Sequence, residues 1–446
     1  MKEKKPIKLK SLLSLLLFIS IFIYGNSLSS QEKNEEDIKV GLVLSGGGAK
    51  GLAHIGALKV IEESGVRIDY IGGTSMGAII GALYASGYTA DELDSIFRET
   101  DFNKLIQDEI PRRAKSLSEK NESEKYVVTL PFDHFKLGLP SGISKGQNVY
   151  NLLSKLTNHV NDIRDFSELP IPFFCVATNV ETGSEVILDK GYLPRAVVAS
   201  GALPSLFNPV LIDDEVLVDG GVVNNYPIRE VKAKGMDYII GVDVQDSLKD
   251  RQELRSAFRI LMQISNYRTI NDMKDKRGET DIYIHPDIRG FSVVSFEDGK
   301  KIVKSGEDSA EPFKEEMENL AKRQKKTERK KIPFVSNDTI QINQIKIEGN
   351  KHYTRSYILG KMRMRPNSQV TYRAFGDGIN SLAATNNFRS INYRFIGDQT
   401  EGADLVVNLD ESPSRTSLRF ALHYDDLFRT AALVNLTHKR FLTNND

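Results

Sequence analysis

From Ile38 to about Gln245, short apolar runs alternate with stretches of helical period. The run Val40–Leu44 predicts a strand, and Ala49–Ser64 a helix ended by Gly65. Ile68–Ile71 predicts a second strand, and Met76–Ser86 a second helix ended by Gly87. Phe173–Thr178, Val186–Leu188, Glu215–Val218 and Tyr238–Val244 read as further strands, and Ile228–Lys234 as a short helix stopped by Gly235. Alternation of this kind predicts an α/β domain, a parallel sheet with flanking helices. Arg112–Lys125 is charged and lacks a period, which predicts a solvated loop or a flap over a site. Leu254–Met273 carries Phe258, Leu261 and Ile264 at helical spacing, a stripe that predicts a core-facing helix rather than a membrane-binding one.

The basic run KRQKKTERKKIPFVSND closes this region and predicts a linker over residues 321–338; contact with anionic lipid headgroups is the sharper alternative. Beyond it, Ile340–Ile347 alternates as a strand, Ser356–Met362 and Tyr372–Ala384 have helical period, and Phe388–Phe395 and Ala403–Leu409 read as strands. That order predicts a small α+β module over residues 339–412. Leu418, Phe420, Leu422 and Tyr424 then alternate with Arg419, Ala421 and His423, Asp425-Asp426 offers a turn, and Ala432, Val434 and Leu436 resume the alternation. One reading is a pair of barrel strands with lipid on one side; the other is a hairpin packed on the preceding domain. A bacterial barrel needs at least about eight strands, so residues 413–446 would be the first strands of an incomplete one.

A chain of 446 residues predicts two or more domains. Lys plus Arg equals Asp plus Glu at 60 each, which argues against bulk nucleic-acid binding. The single cysteine, Cys175, excludes an intrachain disulfide and a cysteine-rich metal site, and its apolar neighbours predict a buried thiol. Lys2, Lys4, Lys5, Lys8 and Lys10 precede the apolar run Leu12–Tyr24, and Ser27-Leu28-Ser29 offers a small-x-small cleavage site. Residues 1–29 therefore read as a secretory signal peptide.

Candidate chemistry begins in Ser45-Gly-Gly-Gly-Ala-Lys-Gly51. Gly46, Gly48 and Gly51 fit the spacing G-x-G-x-x-G of dinucleotide-binding loops, but the same amides can cradle the oxyanion of an ester under attack. The next strand runs into Gly73-Thr74-Ser75-Met76-Gly77, a G-x-S-x-G sequence with a strand before it and a helix after it, as a nucleophile elbow requires. A serine nucleophile needs a base. Of the seven histidines only His54 lies in a recognisable motif, and its place one turn into a helix predicts a packing role. Asp219, in Val218-Asp-Gly-Gly221, stands at the end of an apolar strand. Carboxyl ends of parallel strands are where α/β sites assemble, so Asp219 could meet Ser75 there and take its proton.

Together these segments resemble the patatin-like phospholipases. The family combines G-G-G-x-[KR]-G, G-x-S-x-G and D-G-[AG], and here they stand in order as Gly46-Gly47-Gly48-Ala49-Lys50-Gly51, Gly73-Thr74-Ser75-Met76-Gly77 and Asp219-Gly220-Gly221. The likeness runs through residues 40–245 and implies a patatin-like parallel-sheet sandwich over 38–320. It implies that Ser75 is the nucleophile, Asp219 the proton acceptor and the amides of Gly46, Gly47, Gly48 and Ala49 the oxyanion hole, with Lys50, Gly51, Gly73, Gly77, Gly220 and Gly221 as motif support. It calls for no metal and no cofactor, and for a phospholipid or lysophospholipid as substrate. Ala199-Ser-Gly-Ala-Leu-Pro204 and Asn224-Asn-Tyr-Pro227 are also family-like and read as structural supports; Asn179 departs from the Asp of many relatives at a non-catalytic position. Residues 339–412, with Ile345-Lys-Ile-Glu-Gly-Asn350, resemble a POTRA module. The whole order resembles the patatin-like proteins of the bacterial outer membrane, which implies export to that membrane. Two other readings stand beside this one: a non-catalytic lipid-binding or passenger domain, and a nucleotide-dependent enzyme with Asp69 near the ribose-binding distance.

Overall fold

The computed structural model describes residues 37–439 apart from 134–135, 139–141, 253, 256, 327–331, 333–338, 398–401, 414 and 427–428. The signal-like segment and most of the basic linker lie outside the described residues.

Eight strands form the main sheet. In chain order they are β1 (Val40–Leu44), β2 (Tyr70–Thr74), β3 (Phe173–Asn179), β4 (Glu185–Leu188), β5 (Val210–Ile212), β6 (Glu215–Asp219), β7 (Tyr238–Val242) and β8 (Ile282–Ile284). They lie in the order β8-β7-β1-β2-β3-β6-β5, with β4 also paired to β3. The run β8-β7-β1-β2-β3 is parallel, as expected. β4 and β6 pair antiparallel with β3, and β5 pairs antiparallel with β6, so the expected parallel sheet is a mixed one. Every residue of β1, β2 and β3 is buried, because helices cover both faces; strands in that position read as unbroken apolar runs. Two of the covering helices are α1 (Ala53–Ser64), ended by Gly65 in the left-handed region, and α2 (Met76–Ala85). A turn of 3-10 helix, Gly48–Leu52, leads into α1 where a single helix from Ala49 was expected.

One expectation changes, and two others are met in part. Arg112–Lys125 is not a flap: it forms a turn at Arg112–Ala114 and a helix at Leu117–Lys125. Ion pairs of Arg113 with Asp377 and of Glu119 with Lys361, at 2.8 and 2.9 Å, pin it against the later module. Of the stripe expected on the helix Ala257–Gly278, the side chains of Phe258 and Leu261 lie outside the described ones, while Ile264 is 53% exposed, with Ile260 and Tyr267 exposed on the same side. The C-terminal alternation forms a hairpin, Thr416–Asp425 with Arg429–His438, whose first strand pairs with Val128–Asp133, a strand the sequence reading missed. The hairpin leaves Leu422, Tyr424, Val434 and Leu436 exposed.

The module after the linker has four strands, β9 (Thr339–Glu348), β10 (Ser368–Thr371), β11 (Phe388–Ile396) and β12 (Ala403–Glu411), in the order β10-β9-β12-β11. Only β9 and β12 are parallel. Helices Arg355–Met362 and Tyr372–Ala384 supply Ile358, Phe375 and Ile379 to a core shared with Ile340, Ile342 and Ile345. A register shift between Ile342 and Ile345 explains why the alternation skips a residue there.

Candidate active site

Ser75 follows the last residue of β2 and caps α2 at φ 54° and ψ −121°. A non-glycine residue in that region is strained, and the neighbouring packing must hold it. Glycine is what permits the turn. A Cβ on Gly77 would lie 2.3 Å from the Leu44 carbonyl oxygen, and one on Gly73 would lie 2.6 Å from that of Gly77. The Ser75 amide donates to Ser200 Oγ at 3.0 Å, which fixes the turn from the side. The Ser75 hydroxyl donates to Asp219 Oδ2 at 2.6 Å.

The route by which Asp219 arrives differs from the expected one. Along one edge of β3, β2 pairs with Phe173–Val176 and β6 with Ala177–Asn179, while β4 takes the other edge. Thr74 ends opposite Val176 and Asp219 ends opposite Ala177. Because β6 is antiparallel, two strands abut carboxyl end to carboxyl end on the same neighbour, and the residues at their tips face each other.

Asp219 is 3% exposed, and its other oxygen accepts from the Gly221 amide at 2.7 Å. Burial pushes its pKa up to about 6, against the opposing pull of the Ser75 and Gly221 hydrogen bonds. A carboxylate in that range is ionised at neutral pH yet basic enough to accept a proton.

The glycine loop lies alongside. Asn225 grips Gly46 twice, its Oδ1 accepting from the Gly46 amide and its Nδ2 donating to the Gly46 carbonyl, both at 3.1 Å. The Ala49 amide donates to the Val293 carbonyl at 2.9 Å. Gly46 and Ala49, expected among the oxyanion donors, thus spend their amides within the fold. Among the described residues the amides of Gly47 and Gly48 have no acceptor. Gly48 sits at φ 57°, where a Cβ would also lie 2.4 Å from the Val293 oxygen. Lys50 is buried and pairs with Asp246 at 2.6 Å. His54 Nε2 bonds the Ser45 carbonyl at 2.8 Å, and burial lowers its pKa to about 4, in keeping with a packing role. Among the described residues no histidine bonds Ser75 or Asp219. Asp69, the candidate ribose ligand, is held by Arg67 and the Val40 amide. Cys175 is fully buried, as expected. Asn225 and Ser200 lie in the two stretches already singled out as supports; Val293 and Asp246 carry no signal in the sequence.

Residues 42–232 match the family model described as Patatin-like phospholipase, and the match contains the glycine loop, the elbow and Asp219-Gly-Gly. Over these residues the chain is similar to the patatin-like phospholipases. Curated relatives are similar as well. The lysophospholipase NTE1 of Scheffersomyces stipitis is 27% identical over 333 residues, covering 66% of this chain and 20% of that one. The lysophospholipase NTE1 of Candida glabrata is 30% identical over 300 residues, covering 61% and 16%. The chain therefore spans about a fifth or less of these relatives. A solved structure, VipD from Legionella pneumophila, is similar at 17% identity with a TM-score of 0.38, over 63% of this chain and 67% of that one. Residues 403–446 match the OMP85 superfamily.

The domain built on the main sheet opens a pocket of about 910 Å³ at Ser75 and Asp219. Gly46–Gly48 form its polar end, and Leu83, Phe97, Leu153, Val197 and Phe207 are among the apolar side chains of its wall. Its size lies at the upper end of ordinary ligand pockets, of about 300–1,000 Å³.

Proposed function

We propose that this protein is a serine lipid acyl hydrolase of the phospholipase A or lysophospholipase type. The observation that carries the reading is the Ser75–Asp219 hydrogen bond of 2.6 Å at the head of an apolar pocket. The acyl chain lies along the apolar wall and its ester carbonyl faces Ser75. Asp219 takes the hydroxyl proton as Ser75 Oγ attacks. The amides of Gly47 and Gly48 stabilise the negative charge on the tetrahedral oxygen. The neutral Asp219 then returns the proton to the departing alcohol oxygen, leaving an acyl-enzyme. Water, losing its proton to Asp219, attacks the acyl carbon; the proton passes back to Ser75 and the fatty acid leaves. The step uses no metal and no cofactor.

Residues 38–320 form the hydrolase unit, 339–412 a POTRA-like module and 413–446 the first strands of an outer-membrane barrel. The element order after residue 339 and the match of residues 403–446 to the OMP85 superfamily support an outer-membrane setting. Purified protein is expected to react covalently with a fluorophosphonate and to release fatty acid from lysophospholipid vesicles, and Ser75→Ala to lose both. Well-folded wild type that neither labels nor hydrolyses would favour a lipid-binding role instead.

A further inference from the structure

The helix α3 (Gln147–Leu156) separates the pocket from the module that follows residue 339. A helix turns about 100° per residue, so Gln147 and Tyr150 fall on one side and Val149, Leu152, Leu153 and Leu156 on the other. The apolar four line the pocket. The polar side meets β11, the outermost strand of its sheet.

The contact is made to the strand's backbone. Gln147 Nε2 donates to the Ile391 carbonyl at 2.9 Å, and its Oε1 accepts from the Ile391 amide at 3.3 Å. Two residues along, the Tyr150 hydroxyl donates to the Tyr393 carbonyl at 2.5 Å and accepts from the Tyr393 amide at 3.0 Å. Lys145, just before the helix, donates to the Phe388 carbonyl at 3.0 Å. These side chains stand where a further strand would pair. An open strand edge otherwise presents such groups to any passing chain. The Tyr150 ring is 4% exposed, belongs to the module's own core and meets Tyr393 edge-on at 5.3 Å.

One helix therefore serves as wall for the pocket and as plug for the module's edge. We infer that Gln147 and Tyr150 are positioning residues that set acyl-chain preference: they fix α3 on β11, and the module thereby holds the apolar wall against which the chain lies. The inference rests on the acyl hydrolase reading. Neither side chain lines the pocket or touches Ser75 or Asp219. Apolar contact grows with each methylene buried, so a loosened wall penalises long chains and leaves short ones nearly untouched.

The test compares hydrolysis of p-nitrophenyl laurate and p-nitrophenyl butyrate by the full chain. Gln147→Ala and Tyr150→Phe are expected to lower the laurate-to-butyrate ratio of kcat/KM by about tenfold, chiefly through KM for laurate. Butyrate turnover and labelling by a small fluorophosphonate should stay within twofold of wild type. Tyr150→Phe keeps the ring in the module's core, so it remains informative if Gln147→Ala folds poorly. Arg113→Ala breaks an ion pair with Asp377 between the same two bodies that involves neither Gln147 nor Tyr150, and should leave the ratio unchanged. An unmoved ratio in both variants overturns the inference, as does an equal loss on both esters or the same shift in Arg113→Ala. If wild type hydrolyses neither ester, the acyl hydrolase reading has failed and takes this inference with it; if it hydrolyses both, a failure belongs to α3 alone.

Discussion

Asp219 should make activity and stability respond to pH in opposite senses over one window. Its pKa is raised from 3.8 to about 6, first by burial. On the proposed mechanism it accepts the serine proton and must be ionised, so kcat/KM on a soluble ester should rise with pH to a plateau and be half-maximal near pH 6. An acid of that pKa is about nine-tenths ionised at pH 7 and about one-tenth at pH 5, which predicts a fall of about tenfold between them. Stability runs the other way. The folded state holds this proton more tightly than the unfolded state, so the group's contribution is full below pH 3.8 and is lost as pH rises through 6. A shift of 2.2 units corresponds to about 3 kcal/mol at 1.36 kcal/mol per unit. Asp219→Asn mimics the neutral carboxyl and does not titrate. It should match wild type in stability near pH 3.8, exceed it by up to about 3 kcal/mol at pH 7, and be inactive throughout. Chemical denaturation of both proteins across this range removes, by difference, the contribution of every other titrating group. A half-maximal pH near 4, together with a stability difference that does not change with pH, would refute the argument that burial tunes this carboxyl.

Three further outcomes follow from the neighbouring contacts. Asn225→Ala removes both side-chain hydrogen bonds to Gly46, leaving only the longer one from its amide to the backbone carbonyl of residue 225 at 3.3 Å, and should lower kcat by about 10- to 100-fold in steady-state assays, with KM within about twofold, because it loosens the glycine loop rather than the acyl wall. Gly48→Ala forces a side chain onto the Val293 carbonyl at a positive φ and should cost about 10²–10³ in kcat while circular dichroism stays native. Ser200→Ala removes the acceptor for the Ser75 amide, and the rate of fluorophosphonate labelling should fall by about 2- to 10-fold, the worth of one neutral hydrogen bond.

What could be read from the sequence was local. β1 and β3 were visible because burial on both faces leaves unbroken apolar runs. The elbow was visible because its glycines flank the serine with no room for side chains. The direction of β6 was not, since five residues ending in Asp and followed by Gly-Gly read the same in a parallel or an antiparallel strand. That direction decides how Asp219 reaches Ser75. The donors of the glycine loop were likewise undecided: the partner that occupies Gly46 lies 179 residues away, and nothing marks Val293. Val128–Asp133 was missed because Pro131 and a charged approach argue against a strand, and its partner is the distant Ser417–Phe420. The helix Leu117–Lys125 has no apolar face to announce it; the Glu119–Lys361 ion pair ties it to the later module instead.

The end-to-end meeting of β2 and β6 also has a consequence in time. Ser75 must wait 144 residues for Asp219, and the glycine loop must wait for Val293, more than 200 residues after Ala49. At roughly 5–20 residues per second, a ribosome needs about 10–40 s to supply that length. Through that interval, and in any unfolded stretch of chain, the serine has no base beside it. The contacts that arm it are among the most remote in the domain, so the reactive arrangement arises only with the completed fold.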